Sequence, residues 1–297
     1  MLEEFEIECF HAAGFTILRG LISGNDLDLL LAAADRVVEE GVARQGSDHK
    51  YLAGPDGKEV YWRSENMWQR DPIFQAVTAN PLLLEAIGQC IGEPFYPWND
   101  SLVVKLPLVG AAVPWHQDPP YRNPDRLQTY PTPNFTTDIY LDHSDEENGC
   151  VYAIPGKHLD GHIDLTVKAN EEWFNAEEAV PIVMEPGDVL FHALSTPHGS
   201  QVNTSDRIRR VFYVHYLAEQ VYQDGYASEP WAMEIPGWSQ ARHDAAQAMV
   251  SARESLGLSS AAGSHVVLTD DGYVLTTGPT SEKSQWSKLS RLFSEIP

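Results

Sequence analysis

The sequence contains no long apolar run. None of its segments reaches about 18 consecutive apolar residues, the length from which a membrane-spanning helix is expected. The N-terminal residues are acidic, whereas a secretory signal begins with basic residues and continues with an apolar segment. We therefore expect no membrane partner and no secretory signal, and the expected location is the cytoplasm.

Cysteine is scarce. Cys9, Cys90 and Cys150 are the only three, and they lie far apart in the chain. An odd and widely spaced set argues against a disulfide framework and against a zinc site built from cysteines. A reducing compartment fits this composition.

Basic residues are in the minority. The chain has 20 lysines and arginines against 43 acidic residues, which gives a net charge of −23. Such a field repels nucleic acid and other polyanions, so we expect no nucleic-acid partner, and a coenzyme A thioester is disfavoured. Solubility or a salt-rich host explains the charge most simply, and a cationic substrate is the alternative. Hydrophobic residues make up 43 %, enough for a sizeable core.

The beginning of the chain alternates between helical and strand patterns. A short helix is expected over residues 5–13 and a strand over residues 15–19, which is rich in β-branched and apolar residues. Ser23 is expected to cap a second helix, with Asp26 in the acidic position three residues later. Its apolar residues then recur at helical spacing as far as Val38.

Residues 41–70 are polar and contain several glycines, so the sequence favours a loop that covers a site. After this segment, Asn80 and Pro81 are typical of a helix start, with asparagine as the cap and proline in the first turn. Gly92 is a natural end for that helix.

The pattern changes from about residue 94 to residue 217. Short apolar or alternating runs separated by proline, glycine and asparagine predict antiparallel strands in a sandwich or barrel. Residues 119–134 contain five prolines and are expected to form a loop. The candidate strands are residues 101–106, 135–141, 150–154, 179–184, 188–193 and 209–217.

The remaining residues have no assigned chemical role. Residues 237–256 are compatible with a helix, and the sequence around Asp271 and Gly272 predicts a hairpin with those two residues in its tight turn. The expected organisation is a single domain, mainly β with flanking helices (α+β). Its parts are a helical support and lid over residues 1–93, a core over residues 94–217 and an extension over residues 218–297.

The first chemical signal is the sequence His116-Gln117-Asp118. Residues two apart on a strand point to the same face, so His116 and Asp118 can offer an imidazole nitrogen and a carboxylate oxygen to one point. One further histidine would complete a two-histidine, one-carboxylate triad, which leaves three coordination positions open. A short motif of this kind also arises by chance, and the alternative is a surface pair beside a turn.

Two further signals lie downstream. His198 follows an apolar run and precedes a glycine, where backbone can approach a ligand closely; the alternative is a hydrogen-bonded turn histidine. Arg209 comes eleven residues later, at the start of another strand pattern. A turn over residues 203–206 predicts a hairpin that returns Arg209 alongside the strand leading to His198, where a guanidinium can grip a carboxylate. The alternative is a set of exposed arginines, since Arg207 and Arg210 are neighbours.

Taken together, these segments resemble the phytanoyl-CoA dioxygenase family over roughly residues 10–217. The resemblance implies a double-stranded β-helix, or jelly roll, that uses iron(II), 2-oxoglutarate and dioxygen. The segments that carry it are Trp115–Asp118, Glu147–His158, Pro186–Asp188, His198–Ser200 and Arg209.

The resemblance also implies roles for individual residues. His116, Asp118 and His198 match the iron ligands of the family. Arg209 matches the arginine that holds the distal carboxylate of 2-oxoglutarate, and Ser200 and Lys105 match positions that assist this binding, although Lys105 fits a structural role equally well. The other histidines are expected to be core or surface groups with satisfied hydrogen bonds, among them His143, His158, His162, His192 and His215.

The implied reaction is oxidation of a small molecule coupled to conversion of 2-oxoglutarate into succinate and carbon dioxide. Related halogenases lack the carboxylate ligand, so Asp118 favours hydroxylation, with desaturation or cyclisation as the alternative. Two rivals from other classes are a non-catalytic jelly roll that binds a small molecule and a cupin-type isomerase or hydrolase. Substrate identity and oligomeric state stay open. Candidate substrate-facing residues are Trp62, Arg63, Trp68, Tyr121 and Arg122, with core packing as the alternative for each.

Overall fold

The computed structural model describes residues 2–91, 95–118, 135–218, 238–258, 266–269 and 272–275. Within these ranges, two antiparallel sheets face each other and helices cover the outer face of the larger sheet. No helix in the described part of the chain is both long and apolar enough to cross a membrane. The helices are α1 (Glu4–Ala13), α2 (Asn25–Val42), α3 (Pro72–Thr78), α4 (Pro81–Ile91), α5 (Asn170–Phe174) and α6 (Trp238–Ser255).

The chain crosses between the two sheets several times from β4 to β11, as in a jelly roll. The larger sheet runs in the order β1-β9-β6-β11-β4-β13-β12 with β2 and β3 added beside β4, and the smaller sheet runs β5-β10-β7-β8. The strands are β1 (Phe15–Leu18), β2 (His49–Ala53), β3 (Glu59–Glu65), β4 (Phe95–Lys105), β5 (Val113–His116), β6 (Phe135–Tyr140), β7 (Val151–Ala153), β8 (Val180–Ile182), β9 (Val189–Ala193), β10 (His198–Ser200), β11 (Arg209–Ala218), β12 (Val266–Thr269) and β13 (Gly272–Leu275).

The predicted start of α4 is confirmed and that of α2 is wrong. The Asn80 carboxamide oxygen accepts hydrogen bonds from the amides of Leu82 at 3.0 Å and Leu83 at 3.3 Å, so Asn80 caps α4. In α2 the cap position is Gly24, with a φ of 56° and no side-chain cap. Asp26 does not serve the cap either, because its buried carboxylate is bound by Arg253. The sequence alone does not show that Asp26 pairs with an arginine that is distant in the chain.

The segment 41–70 is not a loop. It holds the hairpin β2–β3, whose second strand pairs with β4 and so extends the larger sheet, and a short 3-10 helix over Met67–Gln69. β2 lies at the edge of the sheet, and both strands of the hairpin carry charged side chains. Because these charges interrupt the apolar alternation, hydrophobic periodicity does not reveal the two strands. Lys50, Arg63 and Glu65 supply those charges here.

The strand predictions over the core are confirmed within one or two residues, except at β4. That strand begins at Phe95, six residues before the predicted start, and Pro97 lies within it opposite Tyr216, where the register shifts. Proline has no amide hydrogen to donate to a neighbouring strand, so a proline in the sequence disfavours a strand at that position. The proline-rich loop, residues 119–134, lies outside the described residues.

The predicted hairpin between the strand leading to His198 and the Arg209 strand is wrong. That leading strand, β9, lies in the same sheet as β11, but β6 lies between them. His198 itself lies on β10, which pairs with β5 and β7 in the smaller sheet. The intervening turn therefore crosses from one sheet to the other. Asn203 fixes this turn by donating from its side chain to the carbonyls of Lys105 and Arg207, at 3.2 and 2.6 Å.

Two apolar layers hold the sheets in place. The helices pack on the outer face of the larger sheet through buried residues such as Phe74, which contacts Phe212 with ring centroids 5.0 Å apart. A smaller cluster lies between the two sheets and includes Phe15, Tyr140 and Val211. Burial of such side chains is the main favourable contribution to folding.

The C-terminal segment joins the same layers. Ala246, Met249 and Ala252 on α6 are buried in the core that the helices share with the larger sheet. Tyr273 of β13 pairs with Phe95 of β4, so the hairpin β12–β13 extends that sheet. The predicted turn position is displaced, because Gly272 belongs to β13 and pairs with Thr269, while Asp271 lies outside the described residues.

Replacing Asp26 with alanine is expected to lower the free energy of unfolding by about 3–5 kcal/mol. Arg253 and Asp26 form a two-contact pair with side chains only 6 % and 13 % exposed, and Asp26 also accepts from the Asn80 side chain at 3.1 Å, so the change would remove a buried ion pair and a buried hydrogen bond. Urea unfolding at pH 7 measures the loss. Asp160→Ala, which breaks the exposed pair with Lys157, serves as the control and should cost under about 1 kcal/mol. Equal losses would contradict the prediction.

Asp100 gives a pH-dependent prediction. It is buried and accepts a hydrogen bond from the Trp68 amide at 2.9 Å, and burial raises the pKa of its carboxyl group to about 7. A raised pKa means that the folded state holds the proton longer than the unfolded state, so stability falls as the pH rises from about 4 to about 7. Asp100→Asn should remove that fall, and its advantage over wild type should grow to roughly 2 kcal/mol at pH 8. Urea unfolding of both proteins at pH 5 and pH 8 tests this, and an advantage that does not grow with pH would contradict it.

Candidate metal centre

Two adjacent strands of the smaller sheet bring the two histidines together. β5 and β10 pair antiparallel with His116 directly opposite His198, and their ring centroids lie 4.2 Å apart. Gly199 permits this close approach, because a Cβ atom there would lie 3.1 Å from the backbone of Trp115. The glycine after His198 that the sequence singled out is therefore required for packing of β10 on β5.

The three predicted ligands converge on one point. One carboxylate oxygen of Asp118 lies 3.7 Å from Nε2 of His116, and the other lies 4.0 Å from Nε2 of His198. One ligand atom from each residue lies within 4.8 Å of the other two. Atoms at these separations can bind a single ion, since bonds from a metal to nitrogen or oxygen are about 2.0–2.2 Å long. Two imidazoles and one carboxylate suit iron(II) and leave positions free for other ligands.

Both imidazole rings are oriented by backbone carbonyl groups. Nδ1 of His116 lies 2.8 Å from the Pro114 oxygen, and Nδ1 of His198 lies 3.0 Å from the Thr196 oxygen. A carbonyl oxygen can only accept, so each Nδ1 carries the proton and each Nε2 presents its lone pair to the centre. This arrangement is the usual support for a metal-binding histidine.

The protonation states also suit a metal. Burial, together with the neighbouring His116, lowers the pKa of His198 to about 3, so its imidazole is neutral at ordinary pH. Burial by itself would raise the pKa of Asp118, but the surrounding histidines, His198 first, outweigh that effect and hold the pKa below its usual range. The site therefore offers a neutral imidazole at His198 and an ionised carboxylate at Asp118, which are the forms that bind metal.

Gln117, which lies between His116 and Asp118, anchors this segment through its side chain. The Gln117 amide group donates to the carbonyls of Gly161 and Ser195 at 2.8 and 2.6 Å, and its oxygen accepts from the Ile163 amide at 2.8 Å. The Asp118 amide donates to the Leu194 carbonyl at 2.8 Å. Gln117 points away from the centre, as the strand alternation predicts.

A cavity opens between the sheets beside the three ligands. Alternate residues of β11 face it, namely Arg209, Val211, Tyr213 and His215. Valines from β4, β5 and β7 supply much of its apolar wall. Most of its other lining residues carry polar or charged groups, and a concave site where such groups converge is typical of small-molecule binding.

Arg209 and Tyr140 leave polar atoms unsatisfied in this cavity. Arg209 is 2 % exposed, and its Nε and Nη1 atoms have no hydrogen-bond partner among the described residues; the same holds for the Tyr140 hydroxyl. Buried polar groups are almost always paired, so these donors indicate a missing acceptor. Burial raises the pKa of Tyr140, which keeps its hydroxyl protonated. A carboxylate fits this set, since a guanidinium can bind it with two parallel hydrogen bonds. Tyr140 was missed at the sequence level because nothing in its strand marks it.

Ser200 and Lys105, the two residues predicted to assist Arg209, lie in different places relative to the cavity. Ser200 is buried and lines the cavity on β10, across from Val113 of β5. Lys105 pairs in register with Arg209 but does not line the cavity. Its amine donates to the carbonyls of Ala111 and Gln201, and burial, with Arg209 nearby, lowers its pKa well below the usual value. A role for Lys105 in cofactor binding remains a prediction.

His192 and His215, which were expected to be core or surface groups with satisfied hydrogen bonds, lie in the cavity wall. The His192 ring contacts His198 with centroids 4.7 Å apart, and its Nε2 lies 3.3 Å from a carboxylate oxygen of Asp138. The His215 ring stacks on Tyr213 with centroids 5.2 Å apart. Alternation along β11 could have indicated His215, because it lies an even number of residues from Arg209 on the same strand.

The substrate-facing candidates divide into three groups. Trp62 and Arg63 line the cavity, as predicted. Trp68 does not; its indole donates to Thr78 at 3.0 Å, and it packs against the helical core. Tyr121 and Arg122 lie outside the described residues.

A jelly roll with a two-histidine, one-carboxylate centre and a buried arginine in the same cavity defines a non-haem iron dioxygenase of the 2-oxoglutarate-dependent class. The chain belongs to the phytanoyl-CoA dioxygenase (PhyH) family, which matches residues 10–211. The resemblance found in the sequence motifs is thus confirmed.

Three similar proteins illustrate the breadth of that family. The dioxygenase lolE1 of Epichloe uncinata is 26 % identical over 74 % of this chain and 84 % of its own length. A methylphosphonate hydroxylase of Gimesia maris is 29 % identical over 49 % of this chain and 55 % of its own length. The crystal structure of AviO1 from Streptomyces viridochromogenes Tue57 has a TM-score of 0.59 and 26 % identity, and the match covers 71 % of this chain and 92 % of that one.

Proposed function

We propose that this protein hydroxylates an unactivated C–H bond of a small molecule, using iron(II), 2-oxoglutarate and dioxygen. The convergence of His116, Asp118 and His198 on one point is the observation that carries the proposal. These three residues would hold the iron. When bound, iron with 2-oxoglutarate supplies the oxidising power that splits dioxygen and yields succinate and carbon dioxide.

Residues of the cavity would bind 2-oxoglutarate and exclude water from it. Arg209 and Tyr140 would bind the distal carboxylate of 2-oxoglutarate, because both present unpaired buried donors to the cavity. Ser200 lies on the same wall and would add a hydroxyl. The apolar residues around them exclude water and strengthen these charge-assisted contacts.

Hydroxylation is favoured over the other outcomes by the ligand set. Asp118 occupies the third ligand position, which leaves no protein-defined position for a halide. The similar methylphosphonate hydroxylase is, by its name, a hydroxylase of a small molecule. Desaturation or cyclisation by the same centre is the second candidate, and the cavity suits either, because it shields a reactive substrate from water.

Anaerobic absorption spectroscopy of the protein with iron(II), before and after addition of 2-oxoglutarate, tests the proposal. We expect a weak visible charge-transfer band that requires both additions, and slow formation of succinate once air is admitted. A binding jelly roll would give neither, and a cupin-type isomerase or hydrolase would bind metal without 2-oxoglutarate. Failure to bind 2-oxoglutarate by calorimetry would therefore refute the proposal.

A further inference from the structure

Arg63 lines the cavity from β3, which lies between β2 and β4, and the acid that it pairs with, Glu65, does not line the cavity. Arg63 lies opposite Val103, which in turn lies opposite Val211 of β11, so the three residues form one row across the larger sheet. All three line the cavity that holds the metal centre. The Arg63 side chain is only 20 % exposed. Arg63 and Arg209 thus reach the same cavity from different strands.

The contacts of the guanidinium are mostly aromatic. Its central carbon lies 5.0 Å from the ring centre of Tyr213 and 5.8 Å from that of Trp62. The Nε atom is buried and has no hydrogen-bond partner among the described residues. Aromatic faces attract a cation but accept no strong hydrogen bonds, so they hold the group in place while its donors stay free.

No acid among the described residues accepts a hydrogen bond from this arginine. The charge of Arg63 acts on the buried Asp100 and opposes the burial that raises its pKa, but the Asp100 carboxylate accepts from the Trp68 amide at 2.9 Å. The Glu65 carboxylate lies 3.7 Å from Nε, which is too long for a hydrogen bond, and it is 36 % exposed to water. Asp138, the other acid in the cavity apart from the metal ligand, already accepts from the Thr136 hydroxyl at 3.0 Å and lies 3.3 Å from His192. A largely buried guanidinium with free donors is costly unless a ligand pairs with it.

We propose that Arg63 recognises an oxyanion on the substrate, so that the substrate class is small molecules carrying a carboxylate, phosphonate or similar acid group. This inference rests on the proposed function, because it assigns Arg209 to 2-oxoglutarate and leaves Arg63 for the molecule that is oxidised. Trp62 and Tyr213 would flank the bound acid group and exclude water from it. The substrate would then lie between the Arg63 end of the cavity and the metal centre.

The net charge of −23 does not oppose this assignment at short range. Surface charges are screened over a Debye length of about 8 Å at physiological ionic strength, whereas a direct contact in a partly buried pocket is screened much less. The acidic surface would slow the approach of an anion without weakening its contact with Arg63. The preference inferred from the cavity is therefore for an anion rather than a cation.

Calorimetry with matched probes tests this site under anaerobic conditions. The protein is first saturated with iron(II) and 2-oxoglutarate, so that Arg209 is occupied, and the visible band reports that 2-oxoglutarate stays bound. Butyrate, its neutral isostere butyramide and methylphosphonate are then titrated into wild type, Arg63→Gln and Arg63→Lys. We expect the anions to bind wild type at least about tenfold more tightly than the amide, as loss of a charge-assisted hydrogen bond implies. The relative affinities of butyrate and methylphosphonate identify the preferred acid group.

Arg63→Gln should abolish the preference for anions and leave amide binding unchanged, while Arg63→Lys should keep part of it because the charge remains. Arg44→Gln is the matched control, since Arg44 also lies over a tyrosine ring, pairs with Glu59 at 3.3 Å and is outside the cavity lining. Equal binding of anion and amide by wild type, or an unchanged preference in Arg63→Gln, would overturn the inference. If iron(II) and 2-oxoglutarate give no visible band, the proposed function is refuted. The comparison of anion and amide binding between wild type and Arg63→Gln still tests whether Arg63 binds an anion.

Discussion

Asp118→Ala is expected to eliminate iron binding and turnover while the fold survives. The carboxylate is the anionic member of the triad, and its two oxygens face the two imidazoles at 3.7 and 4.0 Å. Without it, two neutral nitrogens remain. Loss of an outer group that merely supports a ligand costs about 10- to 100-fold in metal affinity, so loss of the ligand itself should cost more. Anaerobic titration with iron(II) and succinate formation are the two measurements.

Asp56→Ala provides the matched control for that experiment. Asp56 is half exposed in the turn before β3 and pairs with Lys58 at 2.8 Å, so its removal changes net charge without touching the centre. Its iron affinity should equal that of wild type. Circular dichroism distinguishes loss of metal from loss of fold. An Asp118→Ala protein that is folded and binds iron as tightly as wild type would show that the metal site is elsewhere or absent.

Arg209→Ala is expected to weaken 2-oxoglutarate binding by about 100-fold. Truncating one partner of a buried charge pair typically costs about 2–5 kcal/mol. Nε and Nη1 of Arg209 have no hydrogen-bond partner among the described residues, so donors on both atoms are available to the carboxylate. Calorimetry with iron(II) present and air excluded measures the dissociation constant.

The size of the loss should follow the number of donors removed. Arg209→Lys keeps the charge but not the two-pronged geometry, so its affinity should fall between wild type and alanine. Tyr140→Phe removes one hydroxyl and should cost about 1 kcal/mol, or roughly fivefold. Arg210→Gln is the control on the same strand, because Arg210 faces the other side and binds Asp142 at 2.8 Å. It should bind 2-oxoglutarate as wild type does, and similar losses at positions 209 and 210 would contradict the assignment.

Local patterns accounted for most of the elements in the core. The alternation of apolar residues between turns located β6, β7, β8, β9 and β11, because burial between two sheets imposes a period of two on the strands. Asn80 and Pro81 correctly indicated the start of α4, because helix capping involves only residues that are neighbours in the sequence. The prolines and charges of β4 and β3 obscured the remaining strands of that sheet.

Arg63 and Tyr140 show what a linear pattern cannot reveal. Each lies on a strand without any motif, and its importance depends on which residues the sheet places beside it. Val211 of β11 pairs with Tyr140 on one side and with Val103 on the other, and Val103 pairs with Arg63. These four strands come from distant parts of the chain, so only their pairing defines the row.

The sequence by itself determined the jelly-roll class, the metal triad and Arg209, because those features are carried by short segments with fixed spacing. The tertiary structure decided three other matters. It placed β10 and β11 in different sheets, so that Arg209 faces the centre across a cavity. It joined Arg253 to Asp26 over a separation of 227 residues. It also left the donors of Arg63 free, since whether a charged group is paired depends on contacts between strands and helices far apart in the chain.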